Sequence, residues 1–274
     1  MGGHLRIESL ALLACLFSCV HAQPAGPREE ACFLLHQVGS VEDRRGPDAL
    51  CAVALSPAST FKIPHALCAL DAGVVAGPEA AIAWDGVRHN VEAWNRDHTL
   101  ASAVRYSVLW YFQRLAERLG PEREADCLRR LGYGNGDASS SLTGFWLGGS
   151  LRISPEQQLR FLDRLAQGKL PFAREQIAAV LQLIEQPAHG IQRGDDLAPF
   201  GARAQAKVVV RAKSGSVDSG DDSVRWLVGL VEREGRTFSF VSVVRRRGAL
   251  LRGPEAIELA DRRLEEEGVW EGLR

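Results

Sequence analysis

The chain has 274 residues, 46% hydrophobic and 24% charged, and its 33 Lys+Arg against 34 Asp+Glu leave a formal net charge of −1. That length supplies a full hydrophobic core. The balanced charge excludes a general nucleic-acid-binding surface, which needs a net-basic face. Beyond the first 22 residues no run of 18 apolar residues occurs, so a spanning helix is excluded there.

Residues 1–22 have the pattern of a secretory signal: Arg6, the apolar run Leu10–Val20, then Val20-His21-Ala22 with small residues at the −3 and −1 positions. Removing it takes Cys15 and Cys19 and leaves Cys32, Cys51, Cys68 and Cys127, which export would place in an oxidising compartment. The runs Ala31–Val38 and Leu50–Leu55 are strand-like and flank the turn-rich Gly39–Asp48. A hairpin would set Cys32 beside Cys51 and allow a bridge between them. Cys68 and Cys127 fall in helical patterns and are expected as small buried hydrophobes.

Helical periodicity follows over Thr60–Leu70, and an irregular stretch rich in Gly, Pro, Asp and Asn over Gly73–Thr99. Further helices are predicted at Val108–Leu119, Pro121–Leu131, Pro155–Gln167 and Arg174–Glu185, with Ser154 as an N-cap. Then the period changes. Lys207–Lys213, Arg225–Glu232 and Thr237–Val244 are Val-rich and strand-like, and Pro254–Glu267 is a last amphipathic helix. This order predicts an α+β fold. Its antiparallel sheet is built from about residues 31–56 and 206–274, flanked by helices, with a helical subdomain inserted over about 60–190 and residues 23–274 forming one domain.

Only four of the basic residues are lysines: Lys62, Lys169, Lys207 and Lys213. Two of them stand in motifs. Ser59-Thr60-Phe61-Lys62 opens the first helix, where residues three apart share a face and the Lys amine can reach the Ser hydroxyl. A serine is a weak nucleophile until a neighbouring base takes its proton. Lys213-Ser214-Gly215 ends a Val-rich run and can supply a fixed cation, a hydroxyl for an anionic group, and room for a ligand against the backbone.

A Ser-x-x-Lys helix followed about 150 residues later by a Lys-Ser/Thr-Gly strand is the arrangement of serine β-lactamases and penicillin-binding proteins. The segment Pro57–Pro64 resembles the active-site segment of the class D, oxacillinase-type β-lactamases. Ser107-Val108-Leu109 resembles their Ser-x-Val motif, and Tyr133-Gly134-Asn135 their Tyr-Gly-Asn element. Phe145-Trp146-Leu147 resembles the segment holding their active-site tryptophan, and Leu250-Leu251-Arg252 that of their carboxylate-binding arginine. The likeness spans roughly residues 32–265 in order.

The resemblance implies a β-lactamase/transpeptidase fold and hydrolysis of β-lactams through an acyl-enzyme on Ser59. Lys62, carboxylated by CO2 (from bicarbonate) to N6-carboxylysine, would be the general base, held by the Trp146 indole. Ser107 would relay a proton and Lys213 tune the charge. The N–H groups of Ser59 and Ser216 would form the oxyanion hole, with Gly215 beside them. Ser214 and Arg252 would bind the substrate carboxylate. Beyond CO2 no cofactor is implied. The expected partners are small-molecule β-lactams for a periplasmic monomer or homodimer, with no nucleic acid and no membrane attachment in the mature form.

Three departures stand out: Leu109 replaces the usual Val in a position shielding the lysine, Ser214 replaces the commoner Thr, and residues 216–224 form a short acidic connection. A peptidoglycan transpeptidase or carboxypeptidase, or a β-lactam sensor domain, would share the paired motifs. No His or Cys spacing supports a metal site, and the glycines of 132–136 follow no strand that would make them a nucleotide loop.

Overall fold

In the computed structural model, which describes residues 27–41, 48–204 and 208–271, the elements in chain order are β1 (Arg28–Gln37), α1 (Lys62–Asp71), β2 (Ala81–Ile82), β3 (His98–Thr99), α2 (Leu100–Arg105), α3 (Leu109–Leu131), α4 (Pro155–Ala166), α5 (Arg174–Leu183), β4 (Gly190–Arg193), β5 (Asp196–Pro199), β6 (Val208–Ser219), β7 (Asp222–Arg233), β8 (Arg236–Arg247) and α6 (Glu255–Glu266). The expected leader over 1–22 and Lys207 lie outside the described residues.

The three Val-rich runs become the long strands β6, β7 and β8, and β1 joins them from the other end of the chain. The order is β1-β8-β7-β6, every pair antiparallel. Alternate residues of β7 feed two cores: Trp226, Val228 and Leu230 pack with the helical region, while Leu227 and Val231 pack against α6. Both faces are covered, so the strand reads as an almost unbroken apolar run. The α6 stripe of Ala256, Ile257, Ala260 and Leu264 closes the outer face.

The predicted caps and breaks have clear local causes. Ser154 Oγ accepts the Gln157 N–H at 3.2 Å while Gln157 Oε1 accepts the Ser154 N–H at 2.9 Å, a full capping box at the start of α4. The two helices predicted either side of residue 120 run on as α3. Gly120, at φ +74°, makes the kink between them, and Pro121 resumes the helix in a first-turn position.

Two expectations are corrected. Leu50–Leu55 is not a strand. Ala49–Ala52 closes into a 3-10 turn, with Cys51 N–H donating to Asp48 O and Val53 N–H to Leu50 O, and only Leu55 pairs, in an isolated bridge with Ile153. Cys51 still reaches β1 and is bonded to Cys32 across 5.3 Å between Cα atoms. Cys68 and Cys127 are not free thiols but a second disulfide, with Cα atoms 5.8 Å apart. Helices α1 and α3 pack together, so the two buried stripes that carry these cysteines face each other. Beyond this frame the fold adds a hairpin, β4–β5, which lies over the outer core through Ile191 and Ala198.

Candidate active site

Ser59 lies in a 3-10 turn, Ala58–Phe61, that runs directly into α1 at Lys62. The turn is held from outside. Ala58 N–H donates to Trp146 O at 3.0 Å, and the Thr60 hydroxyl donates to Pro57 O at 2.6 Å while accepting from Gln158 Nε2 at 2.8 Å. Ala58 sits at φ +49°, a left-handed conformation costly for a residue with a Cβ. Such a conformation survives only where neighbours over-determine it, and here it sets the half-buried Ser59 at the helix start.

From the first turn of α1 the Lys62 amine donates to Ser59 Oγ at 2.9 Å. The lysine is 1% exposed and its Nζ stands 5.3 Å from the centre of the Phe112 ring. Burial among these groups, with the nearby charge of Lys213 adding to it, drives the Lys62 pKa well below the ordinary lysine value. The direction of that shift favours the neutral amine beside the serine.

β6 forms the opposite wall. Lys213 is buried, its Nζ donates to Ser214 O at 3.0 Å, and burial lowers its pKa to about 7. Two residues on, Gly215 lies against the serine turn. A Cβ there would come within 3.0 Å of Thr60 Cγ2 and 3.1 Å of Pro57 O, so only glycine lets the strand approach this closely. Ser214 and Ser216 flank it, half-buried and exposed respectively.

Trp146 closes the floor. Its ring stacks on Phe61 at 5.7 Å, lies 5.5 Å from His65 and meets Phe145 edge-on. Its main-chain carbonyl accepts from Ala58 N–H and from Ser56 Oγ, yet its indole Nε1 is buried with no acceptor among the described residues. A buried donor left without a partner is costly. An anionic group on the neighbouring Lys62 amine would satisfy it, so the residues present fit a carboxylated lysine.

Ser107 stands at φ +58° between α2 and α3, one residue after Tyr106. Leu109, half-buried, opens α3, the helix whose Phe112 meets Lys62. The structure thus joins Ser59, Lys62, Lys213, Gly215 and Trp146 around one point. Among the described residues, no hydrogen bond links the Ser107 hydroxyl to that group. Arg252 is exposed beside Asp218. Burial opposes ionisation of Asp218, but hydrogen bonds from Arg225 and Ser223 and the charges of Arg225 and Arg252 outweigh it and hold the carboxyl below its usual value.

The chain matches the penicillin-binding protein transpeptidase domain over residues 42–260. It is 35% identical to β-lactamase OXA-48 of Klebsiella pneumoniae over 187 residues, 68% of this chain and 64% of that protein. It is 42% identical to OXA-2 of Salmonella typhimurium over 129 residues, 47% of each. These matches therefore span less than two thirds of either relative's length. The solved class D β-lactamase of Bacillus subtilis superposes with a TM-score of 0.74 at 30% identity, covering 89% of this chain and 94% of that one. The chain belongs to the class D β-lactamase family. Its fold is the β-lactamase and penicillin-binding transpeptidase fold expected from the motif order.

Within this class D site, sequence reasoning missed one buried pair. His65 Nε2 lies 2.6 Å from Glu124 Oε1, both side chains fully enclosed, and the imidazole touches Phe61, Phe112 and Trp146. A signal was present: Glu124 is a charged residue on the apolar stripe of α3 that carries Leu119, Cys127 and Leu128. Such a residue needs a buried partner, and His65 follows Lys62 by one helical turn.

Proposed function

We propose that the chain hydrolyses β-lactam antibiotics by acylation and deacylation of Ser59. The observation that carries this reading is the 2.9 Å hydrogen bond from the buried Lys62 amine to Ser59 Oγ, beside an indole donor without a partner among the described residues. Carboxylation of the neutral Lys62 amine by CO2 would supply an anionic oxygen base at that position, and the Trp146 indole N–H is the group that would hold it.

In this scheme the Lys62 side chain takes the Ser59 hydroxyl proton as Oγ attacks the lactam carbonyl carbon. The N–H groups of Ser59 and Ser216 stabilise the oxyanion, and collapse breaks the C–N bond. Ser107 passes a proton to the departing nitrogen and takes back the one that the Lys62 side chain received from Ser59, which leaves the Lys62 side chain free to act as base again. Lys213, with a pKa of about 7, exchanges a proton with that relay without holding a permanent charge. Water then attacks the acyl carbon, gives its proton to the Lys62 side chain, and Ser59 leaves with its hydroxyl restored. Ser214 and Arg252 orient the substrate carboxylate, and Leu109 limits water near Lys62.

Two disulfides support work in an oxidising compartment, in keeping with a periplasmic enzyme whose residues 23–274 act as one catalytic domain. No helix among the described residues is long and apolar enough to cross a membrane. The test is turnover of a chromogenic β-lactam by the chain from residue 23, with and without bicarbonate. Hydrolysis that rises with bicarbonate and vanishes in Lys62→Ala supports the scheme. A single stoichiometric burst without turnover would replace it with a transpeptidase or a sensor.

A further inference from the structure

We propose that Arg193, on the β4–β5 hairpin, binds the carboxylate of the β-lactam together with Ser214 and Arg252, and so strengthens the preference for anionic substrates. The inference rests on the β-lactam reading above but assigns a residue outside every motif that led to it.

Arg193 is the last residue of β4 and lines a narrow cleft with Ser214, Gly215, Ser216, Arg225 and Gly253. Two guanidinium groups therefore face the same stretch of β6. One of them is already engaged: Arg225 donates to Asp218 Oδ1 at 2.7 Å and to Leu251 O at 2.5 Å. The other has no partner among the described residues. Arg193 is half-buried, and no carboxylate, carbonyl or hydroxyl among the described residues accepts from its side chain. A guanidinium offers a planar fork that fits a carboxylate through two parallel hydrogen bonds. Beside it stands the Ser214 hydroxyl, half-buried and one residue after Lys213.

The hairpin is also fixed in place, which a binding residue requires. At its base Ile191 and Ala198 are buried in the outer core. At its tip the Asp195 carboxylate accepts Glu92 N–H at 2.8 Å and Ala93 N–H at 2.7 Å, about 100 residues away in the chain. That contact ties the tip to the segment leading to Ser107. Trp94 Nε1 donates to Tyr106 O at 2.9 Å, and Trp110 Nε1 donates to Trp94 O at 2.9 Å. The hairpin thus spans from the β6 side of the site to the Ser107 side, with Arg193 held between. Arg252, exposed and sharing the field of Asp218, is the second cation for this role.

The test uses Ser59→Ala protein, which binds without being acylated, and calorimetric Kd values for benzylpenicillin and its methyl ester. Adding Arg193→Ala is expected to weaken the free acid by about tenfold and the ester by less than twofold. Arg193→Lys, which keeps the charge but loses the fork, is expected to fall between. Equal losses for acid and ester, or no loss for either, would overturn the assignment. Turnover by the protein with Ser59 intact is read separately: its absence would refute the hydrolytic reading, while a carboxylate-selective Kd change would still support Arg193.

Discussion

His65 Nε2 and Glu124 Oε1 lie 2.6 Å apart with neither side chain exposed, directly beneath the aromatic floor of the site. The contact sets an imidazole nitrogen against a carboxylate oxygen inside the core, where neither side chain reaches solvent. The balance between Coulomb attraction and desolvation for such pairs is close, but removing one partner leaves the other polar and enclosed. Glu124→Leu alone is therefore expected to cost about 3–5 kcal/mol of unfolding free energy. His65→Leu combined with Glu124→Leu should recover most of that loss, because nothing polar is then stranded. Urea unfolding of the parent, the two single Leu variants and the double variant decides it. A double variant as unstable as either single would show that the pair itself is strongly stabilising, and a loss equal to the sum of the two singles would show that the residues are not coupled.

The hydrogen bond between Lys62 and Ser59 makes a sharp statement about residue type. Arginine keeps its proton at any working pH, so it can neither accept the Ser59 proton nor react with CO2. Lys62→Arg is expected to lower turnover of a chromogenic β-lactam by roughly 10²–10⁴-fold, the usual range for loss of a positioned base. Added bicarbonate should not restore it. Activity within tenfold of the parent would remove Lys62 from the role of base.

Lys213 gives a pH signature in stability. Its folded pKa is lowered by burial to about 7, below the ordinary lysine value of 10.5 that the unfolded chain keeps. Between those values the unfolded state binds more protons than the native state, so this group makes stability rise with pH from about 7 to about 10.5. Below pH 7 its penalty is fully present. Lys213→Met removes the penalty and the slope. Unfolding free energies measured from pH 6 to pH 9 should show the variant gaining most at the acid end, with the two curves converging as pH rises. Parallel curves would mean that Lys213 keeps its ordinary pKa in the fold.

Much of this frame was legible in advance because it is written in local patterns. The sheet shows in the Val-rich runs of β6, β7 and β8, the start of α4 in Ser154 and Pro155, and the serine–lysine contact in their spacing of three. What escaped was set by partners distant in sequence. Leu50–Leu55 has the composition of a strand, but among the described residues its backbone pairs only at Leu55, with Ile153, and its tie to β1 is the Cys32–Cys51 bond. The β4–β5 hairpin has strands of four residues, too short for alternation to be counted, although Gly194-Asp195 is a hairpin turn signal. Cys68 and Cys127 each lie on an apolar helical stripe, and periodicity says which face is buried without saying what it faces.

That second disulfide has a measurable consequence. The loops closed by Cys68–Cys127 and Cys32–Cys51 have sequence separations of 59 and 19. On the chain-entropy model these correspond to about 4 and 3 kcal/mol respectively. Replacing Cys68 and Cys127 together by Ala should lower stability at least as much as replacing Cys32 and Cys51 together. Denaturant unfolding under oxidising conditions compares them, and reduction of the parent protein should cost more than either pair alone. A parent protein that keeps its unfolding midpoint in reductant would show that neither bond constrains the unfolded chain.

The anchoring of the hairpin tip can be separated from the charge it carries. Asp195 is exposed and its carboxylate caps the first N–H groups of the short turn at Glu92–Trp94. Loss of such a cap costs about 1 kcal/mol, too little to disturb a core in which Ile191 and Ala198 remain buried. Asp195→Ala is therefore expected to leave the thermal midpoint nearly unchanged while freeing the tip that holds Arg193. The expected kinetic result is a severalfold rise in KM for a penicillin with a free carboxylate, an unchanged KM for its ester, and kcat near that of the parent. Asp195→Asn, which keeps one acceptor, should show about half the effect in free energy. A fall in kcat with KM unchanged would point elsewhere, to the tie between the Glu92–Trp94 turn and the segment entering Ser107. That outcome would separate placement of the catalytic loop from recognition of the substrate anion.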